Sequence, residues 1–201
     1  MYEILPDVYH FAQVLSYKDE YDLIDIYWDH FDNFYQPVLR SGRKMSIKMN
    51  CYGWHWNPKT YKYSKTRDDF DGKEVDEYPD WINELVAPLS LAAFPKHKPE
   101  WDILICNKYE PGNSKLGTHQ DNSESVATMS SGHPIVSLSV GSPCLFKLGK
   151  DGPEQKKIVL DSGDALLFGD SARMIYHGVE KIYLDPNPYG MGRFNFTMRK
   201  M

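Results

Sequence analysis

The stretch KKIVLDSGDALLFGDSARMIYHGV, from Lys156 to Val179, has the pattern that decides the fold, because its short β-rich runs are separated by turn residues. Similar runs fill the chain after Trp101, among them WDILICNKY, PIVSLSV, CLFKLG and RFNFTMRK, with EPGN, GSP and LDPNPYGMG between them. Many short strands at this spacing are typical of a sandwich or jelly roll and not of an α/β sheet. The second half of the chain is therefore predicted to be a β core.

The first half of the chain has patterns of helices and of a hairpin. SYKDEYDLIDIYWDHF predicts an acidic amphipathic helix, with Ser16 as its N-cap and Asp19 at the third helical position. Its apolar face is predicted to hold Leu23, Ile24, Tyr27, Trp28 and Phe31. DWINELVAPLSLAAF predicts a second helix, which Pro88 is expected to kink or divide. Between the two helices, MSIKMN and YKYS alternate in the way that hairpin strands do.

Length and composition fit one globular domain. The chain has 201 residues, 41% of them hydrophobic, and a net charge of −5. We predict a single α+β, mostly β domain. Residues 1–100 would hold the N-terminal helices and the hairpin region, and residues 101–201 would hold the β core.

The sequence also bears on cellular location. MYEILPDVYHFAQVL has no basic segment followed by an apolar run, so no signal peptide is predicted, and no stretch approaches the length of a membrane span. Cys51, Cys106 and Cys144 are odd in number and far apart, which favours buried, reduced thiols over disulfides. We expect a monomer of the cytoplasm, or of the nucleus in a eukaryote, that is not secreted and does not bind membranes.

Charge is distributed unevenly along the chain. Eight basic residues and no acidic one lie between Arg40 and Arg67, although the chain as a whole has 28 acidic residues and 23 basic ones. The same window carries Tyr52, Trp54, Trp56, Tyr61 and Tyr63. Cations interleaved with aromatic rings suit nucleic acid, because cations hold phosphates while rings stack on bases. A solvated surface ribbon whose rings pack inward is the alternative, and composition alone favours it.

A histidine and an aspartate in KLGTHQDNSES form a candidate metal site. His119 and Asp121 are two residues apart, so on an extended strand both side chains point to one face. The pair alone is weak evidence, but His177 ends a later β run and can approach from an opposing strand. Two histidines and one carboxylate suit Fe(II) and leave positions open for a co-substrate and O₂. Zinc is the alternative, although catalytic zinc more often takes three histidines or two with a glutamate.

The C-terminal run RFNFTMR places four polar side chains on one face of a predicted strand. Phe194, Phe196 and Met198 would form the other, apolar face. Two guanidinium groups on one strand face suit a dicarboxylate, because guanidinium binds carboxylate as a two-pronged fork. An exposed edge strand with an ordinary polar face is the alternative. The polar face holds Arg193, Asn195, Thr197 and Arg199, and ICNKYEPG places Asn107 and Tyr109 on one strand face in the same way.

These motifs occur in an order that resembles one known family. N-x-Y-x-x-G at Asn107, H-x-D at His119, H-G-V at His177 and R-x-N-x-T-x-R at Arg193 are similar to the AlkB family of Fe(II)/2-oxoglutarate-dependent dioxygenases. The resemblance covers residues from about 45 to 199. It implies a double-stranded β-helix, or jelly-roll, core with N-terminal helices.

The resemblance also implies roles for individual residues. Iron would be held by His119, Asp121 and His177. Arg193 would pair with the distal carboxylate of 2-oxoglutarate, and Arg199 would lie near the carboxylate that chelates the metal. The remaining co-substrate residues would be Asn107, Tyr109, Asn195 and Thr197.

In bacterial AlkB-type enzymes the basic window forms a β-hairpin nucleotide-recognition lid. GWHWNPKTYKYS is similar to that lid, with Trp54, Tyr61 and Tyr63 at its aromatic positions. The implied function, as in DNA repair, is oxidative demethylation of N-alkylated bases in single-stranded or flipped-out DNA or RNA. Fe(II), 2-oxoglutarate and O₂ would be consumed, and succinate, CO₂ and formaldehyde would be released.

One substrate position departs from the family pattern. Bacterial repair enzymes have an acidic residue two positions after the aspartate ligand, whereas this chain has Ser123, followed by Glu124. A serine hydroxyl cannot offset the charge of a base such as 1-methyladenine, so the base preference stays open. Two other functions stay open as well: the same chemistry on a protein side chain, and a catalytically silent jelly-roll binding module.

Overall fold

The structure is a computed structural model that describes residues 1–152, 154–184 and 192–201. The predicted turn LDPNPYGMG lies mostly outside the described residues. The major sheet has the strand order β1-β2-β11-β8-β13-β6-β3, and the minor sheet has the order β10-β9-β12-β7. Major-sheet strands are β1 Tyr2–Leu5, β2 Val8–Phe11, β3 Ile47–Tyr52, β6 Ile103–Tyr109, β8 Ile135–Gly141, β11 Ala165–Phe168 and β13 Arg193–Arg199. Minor-sheet strands are β7 Leu116–His119, β9 Cys144–Gly149, β10 Lys156–Leu160 and β12 Tyr176–Ile182.

Two long helices pack on one face of the major sheet. They are α1 Tyr17–Asp29 and α2 Trp81–Ala93, and a short third helix, α3 Val126–Ser131, follows the predicted metal ligands. Leu23 and Tyr27 of α1 and Ile82 of α2 are buried in one cluster with Phe194 and Phe196 of β13. Phe194 and Phe196 therefore face the helices, and the polar residues of β13 point to the opposite face of the sheet.

The start of α1 is confirmed at the level of single atoms. The Ser16 side chain accepts a hydrogen bond from the Asp19 N–H, and the Asp19 carboxylate accepts one from the Ser16 N–H. This reciprocal pair satisfies two of the donors that a helix N-terminus leaves free. The apolar face was predicted too wide, because Trp28 and Phe31 are 54% and 48% exposed. Their rings stack on each other with centroids 6.3 Å apart.

Of the kink or division that was expected at Pro88, the division is wrong. α2 runs without a break from Trp81 to Ala93. Pro88 and Glu84, the residue whose carbonyl loses a hydrogen-bond donor to the proline, both lie on the exposed side of the helix. Water can therefore solvate that carbonyl, and the helix continues through the proline.

The inner faces of the two antiparallel sheets enclose a second buried cluster. Tyr109 and Phe168 of the major sheet contribute to it, and Phe146 and Val179 of the minor sheet lie in the same cluster. Strands of the N-terminal half take part in this architecture, because β1, β2 and β3 belong to the major sheet. The α+β, mostly β class is confirmed, and the facing sheets form the predicted jelly-roll core.

A separate hairpin, which we call the lid hairpin, consists of β4 His55–Asn57 and β5 Lys62–Ser64. Asn57 builds its turn, because its side-chain oxygen accepts hydrogen bonds from the N–H groups of Lys59 and Thr60. The turn ends at Tyr61 in the left-handed region, with φ of 57°. The hairpin therefore corresponds to the predicted lid segment.

Two further predictions can be compared with the structure. Cys51, Cys106 and Cys144 are free, and all three are buried as predicted. None of the helices in the described part of the chain has the length and apolar composition of a membrane span.

Candidate active site

Two adjacent antiparallel strands of the minor sheet, with the residues directly after β7, carry the candidate metal ligands. His119 at the end of β7 pairs in register with His177 of β12, and their ring centroids are 4.4 Å apart. Asp121 follows β7 directly, with its Oδ1 3.5 Å from His119 Nε2 and its Oδ2 3.6 Å from His177 Nε2. One ligand atom from each residue lies within 4.8 Å of the others. Two histidines and one carboxylate converge here as the sequence predicts, and they form a three-ligand site of the kind that suits Fe(II).

The histidine rings are held so that their Nε2 atoms face the aspartate. Nδ1 of His119 lies 2.9 Å from the Gly117 carbonyl, and Nδ1 of His177 lies 3.0 Å from the Ile175 carbonyl. A ring whose Nδ1–H donates to a carbonyl presents the lone pair of Nε2, which is how metal-binding histidines are commonly oriented. The local backbone therefore selects the tautomer that a metal requires.

Protonation states at this centre also suit a metal. Burial lowers the pKa of His177 to about 4, so the ring is neutral at pH 7. Burial opposes ionisation of Asp121, but the adjacent Arg199 guanidinium, with smaller contributions from the histidines and Arg173, lowers its pKa to about 2. A neutral imidazole and a charged carboxylate are the forms that bind metal. The buried Asp121 Oδ2 has no hydrogen-bond partner among the described residues, which fits a position reserved for an ion.

Arg199 and Glu124 connect the aspartate to the lid hairpin. Arg199 Nη2 lies 2.6 Å from Asp121 Oδ1, and its Nη1 donates to the Tyr63 hydroxyl at 3.0 Å and to Glu124 Oε1 at 3.2 Å. The Tyr63 hydroxyl in turn donates to Glu124 Oε1 at 3.2 Å. Arg173 completes the network, since it donates to the Asp121 carbonyl at 2.7 Å and to Glu124 Oε2 at 3.1 Å. Glu124 is thus a buried carboxylate shared by two arginines and one lid tyrosine.

The polar face of β13 lines the pocket beside the metal ligands. Arg193 is 1% exposed, yet within residues 1–152, 154–184 and 192–201 only its Nη2 is engaged, donating to the Ser139 hydroxyl at 2.9 Å. Nε and Nη1 of Arg193 find no partner among the described residues. Buried guanidinium donors without partners are costly unless a ligand meets them, and a carboxylate is the group that fits their fork geometry. We call the polar face of β13 (Arg193, Asn195, Thr197 and Arg199), together with Ser137 and Ser139 of the adjacent strand β8, the clamp.

The other co-substrate residues lie in register with this arginine. Asn195 donates to the Ser137 hydroxyl at 2.7 Å and to the Leu138 carbonyl at 3.0 Å, and its side-chain oxygen accepts from Thr197 at 2.9 Å. Strand β6 pairs with β13 so that Asn107 is opposite Asn195 and Tyr109 opposite Arg193. All the residues predicted for iron and 2-oxoglutarate line one pocket, together with Ser137, Phe146 and Phe168.

The three aromatic residues that were predicted for the lid occupy different environments. Trp54 packs against a buried cluster under the lid, and the Lys65 ammonium lies 3.9 Å from its ring centroid. Tyr63 is tied to Arg199 and Glu124, as described above. Tyr61 is 49% exposed at the hairpin turn. Trp56, which the sequence analysis did not assign to the site, donates its indole N–H to the Ser123 hydroxyl at 3.2 Å.

The remaining part of the lid is anchored by a buried histidine. His55 Nε2 lies 2.6 Å from Asp69 Oδ1, and Asp69 Oδ2 accepts a hydrogen bond from the Tyr35 hydroxyl at 2.7 Å. Burial opposes protonation of His55, but Asp69 and the neighbouring Cys51 outweigh it and raise its pKa to about 9. His55 is therefore a structural cation under the lid and is distinct from the candidate metal ligands.

Most of the chain is similar in sequence to proteins of one family. The model of the 2OG-Fe(II) oxygenase superfamily matches residues 7–199. The AlkB dioxygenase of Escherichia coli is 33% identical, with 83% of this chain and 77% of that protein covered. The chain belongs to the AlkB family. This membership confirms the predicted family and the predicted cofactors, Fe(II), 2-oxoglutarate and O₂.

Relatives within the AlkB family extend the comparison. The DNA N(6)-methyladenine demethylase ALKBH1C of Arabidopsis thaliana is 36% identical over 83% of this chain. The chain spans 42% of the length of that relative. The solved structure of OsALKBH1 covers 100% of this chain and 99% of its own, with a TM-score of 0.89 and 29% identity. This similarity confirms the jelly-roll fold.

Three functional candidates were missed by sequence reasoning, and one of them had a detectable signal. Trp56 is two residues from Trp54 and pairs across the hairpin with Tyr63, so recognition of the Asn57 turn would have placed it beside the tyrosine. Glu124 follows Ser123 directly, and its buried environment is not visible in sequence. Arg173 lies in the loop run SAR, where no periodicity indicates that its side chain is buried.

Proposed function

We propose that this AlkB-family chain removes N-linked alkyl groups from nucleobases by Fe(II)- and 2-oxoglutarate-dependent oxidation. The observation that carries the proposal is the convergence of His119, Asp121 and His177 beside buried donors of Arg193 that have no partner in the described part of the chain. The nucleic-acid substrate is supported by the basic lid window and by demethylase relatives such as the Arabidopsis protein. DNA and RNA are both candidates.

In this function each group of residues has a distinct task. The His119, Asp121 and His177 side chains would hold Fe(II), and Arg193 would bind the distal carboxylate of 2-oxoglutarate. When bound, Fe(II) and 2-oxoglutarate would supply, with O₂, the oxidation of an N-methyl group, and the products would be succinate, CO₂ and formaldehyde. Arg199 and Arg173 keep Asp121 ionised and correctly oriented. Asn107, Tyr109, Asn195 and Thr197 would fix the orientation of the co-substrate.

The chain would act as one domain and as a monomer on a flipped-out or single-stranded base. Trp54, Tyr61, Tyr63 and Ser123 would form the substrate side, on the lid and directly after the metal ligands. Eight basic residues in Arg40–Arg67 would hold the phosphates, in a chain that is otherwise acidic. The cytoplasm or nucleus is the proposed location, because nucleic acid is there.

A panel of oligonucleotides, each with one N-methylated base, tests the proposal. The chain is incubated with Fe(II), 2-oxoglutarate and ascorbate, and mass spectrometry measures loss of the methyl group while formaldehyde and succinate are quantified. Demethylation of at least one oligonucleotide is expected, with none in the Asp121→Ala variant. Steady 2-oxoglutarate turnover without demethylation of any oligonucleotide would contradict the proposal and favour a protein side chain as substrate.

A further inference from the structure

Helix α1 carries a row of aromatic rings on a side that the major sheet leaves exposed. Tyr17 is 75% exposed and Tyr21 is 53% exposed, and Trp28 and Phe31 are each about half exposed. Tyr21 follows Tyr17 by four residues and Trp28 follows it by eleven, so the three rings lie on one side of the helix. Phe31, directly after α1, continues the row because it stacks on Trp28. Single exposed apolar residues are ordinary, whereas an aligned group of rings marks a binding surface, and we call these four residues the aromatic row.

The charges around the aromatic row are acidic. α1 contains five acidic residues and one lysine, and that lysine, Lys18, is paired with Asp22. Asp25, Asp29 and Asp32 are exposed, and none of them forms an ion pair within the described part of the chain. The last turn of α1 has no basic residue. Carboxylates at this end add to the negative end of the helix dipole, so this surface attracts cations.

Two neighbouring rings already contact cations of the chain itself. The Lys48 ammonium lies 5.7 Å from the ring centroid of Phe31, and the Lys108 ammonium lies 5.3 Å from that of Tyr27. Tryptophan is the best aromatic partner for a cation, yet no lysine or arginine of the described residues lies over the Trp28 ring. An exposed tryptophan beside carboxylates without ion pairs therefore suits a cation from another molecule.

The same charges restrict the class of partner. A nucleic acid that stacked its bases on the aromatic row would bring its phosphates beside Asp25, Asp29 and Asp32, and like charges repel. A protein segment rich in arginine and lysine fits both features of the surface. Its guanidinium and ammonium groups can pair with the carboxylates and lie over the rings, and their aliphatic stems can cover apolar surface.

We propose that the aromatic row, with Asp25, Asp29 and Asp32, is a docking surface for an arginine- and lysine-rich segment of a partner protein. The proposal goes beyond the proposed function and does not depend on which base is demethylated. α1 lies on the face of the major sheet opposite the clamp, with the ring centroids of Tyr27 and Phe194 5.0 Å apart. A docked segment would therefore leave the pocket of the metal centre open. Basic arms are common on proteins that bind nucleic acid, so such a partner would bring the enzyme close to its proposed substrate.

Fluorescence anisotropy with two labelled synthetic peptides tests the docking surface. One peptide has three repeats of Arg-Ala-Lys-Leu, and the other has glutamate in place of every arginine and lysine. We expect the full chain to bind the basic peptide in a salt-dependent way and not to bind the acidic one. Trp28→Ala with Phe31→Ala should weaken binding about 5- to 30-fold, the range for loss of two exposed cation–π contacts. Val159→Ala, at an exposed apolar residue of β10, is the control and should bind as wild type does.

A second pair of variants separates this local surface from the net charge of the chain. Asp29→Asn with Asp32→Asn should weaken binding of the basic peptide roughly 3- to 10-fold. Asp151→Asn with Glu154→Gln removes two exposed charges from the β9–β10 loop, and this matched control should stay within about twofold of wild type. Circular dichroism shows whether each variant is folded, independently of any activity.

Equal weakening in the two charge variants would mean a general attraction to an acidic protein, and no binding of the basic peptide by wild type would mean that the row has no such partner. A matching loss of single-stranded oligonucleotide binding in Trp28→Ala with Phe31→Ala would assign the row to nucleic acid. A wild-type dimer in sedimentation that the same variant abolishes would mean that a second copy covers the row. Each of these results would overturn the docking proposal and leave oxidative demethylation unaffected.

Discussion

The clamp and the lid hairpin hold two sides of the same site by different means. The clamp lies on β13, a central strand that is paired along its length with β6 and with β8. The lid hairpin has two strands of three residues each, and its links to the metal centre are side-chain hydrogen bonds of Trp56 and Tyr63. The clamp residues are positioned by strand pairing in the major sheet, whereas the lid hairpin is positioned by individual side-chain hydrogen bonds.

This difference teaches where the site can vary. Moving a clamp residue would require a register shift that turns the buried Phe194 and Phe196 toward the pocket, so the co-substrate side is rigidly specified. A lid contact can change with one side chain, as the serine at position 123 illustrates. The same redox centre can therefore be combined with different bases.

The metal ligands lie between the two regions, and their loss should have the largest effect. We expect Asp121→Ala or His119→Ala to give no measurable turnover and much weaker Fe(II) binding, because the three-ligand site becomes incomplete. Iron content after reconstitution and succinate formation measure both effects. His133→Ala, whose ring packs near Trp101 and His97, is the control. Loss of iron in that control with retention in His177→Ala would refute the ligand assignment.

A variant on the clamp side should act on the co-substrate alone. Arg193→Ala removes a charge-assisted pair worth about 1.5–3 kcal/mol, so the 2-oxoglutarate KM is expected to rise roughly 10- to 150-fold. Arg193→Lys should restore only part of the affinity, since ammonium lacks the guanidinium fork. Steady-state kinetics with varied 2-oxoglutarate measures the change. An unchanged KM in the alanine variant would show that the dicarboxylate binds elsewhere.

Glu124 links the two regions, and a variant there tests whether they are coupled. Glu124→Gln keeps the shape of the side chain but places a neutral amide between Arg173 and Arg199. The contacts of these two arginines with Asp121 are disturbed as a result. Outer-shell partners of metal ligands typically contribute 10- to 100-fold in affinity, and we expect about tenfold weaker Fe(II) binding. Calorimetric titration measures it, with Glu180→Gln on an exposed ion pair as the matched control. Equal iron affinity in both variants would separate the lid from the metal centre.

The smallest effect is expected on the outer surface of the lid. Lys59→Glu with Lys62→Glu reverses two exposed charges on the hairpin, and binding of a single-stranded oligonucleotide should weaken and lose part of its salt dependence. Each lost phosphate contact lowers the slope of log affinity against log salt by about 0.7. Fluorescence anisotropy at several salt concentrations measures this slope. Lys156→Glu with Lys157→Glu on β10, far from β7 in the minor sheet, is the control. Equal slopes in both double variants would mean that the basic window is only a solvated surface.

The sequence predicted the regions that follow a period and missed those that depend on tertiary contacts. The polar and apolar alternation of RFNFTMR specified the two faces of β13, and Ser16 with Asp19 specified the start of α1, because both patterns are local. The exposure of Trp28 and Phe31 could not be predicted, since helical spacing does not reveal where a helix extends beyond the sheet that it covers. The unbroken α2 depends in the same way on which side of the helix Pro88 occupies.

Within the site, motifs identified the ligands but not the residues that orient them. His119 and Asp121 are recognisable from two-residue spacing and the resemblance, whereas Arg173 reaches them from a loop without a pattern. Trp56 was counted among the window aromatics, but only the folded hairpin brings its indole N–H to Ser123. Contacts between residues 67 positions apart in the chain carry no local signal.

The position of β13 has a consequence for synthesis of the chain. This strand fits between β6 and β8, so the major sheet cannot close until it has emerged from the ribosome, and such non-local closure is slow. Its last arginine meets Tyr63, which was made 136 residues earlier. A nascent chain that ends before Arg193 already contains all three metal ligands but none of the arginine fork. Completion of the co-substrate side therefore depends on a strand that is made after all three metal ligands.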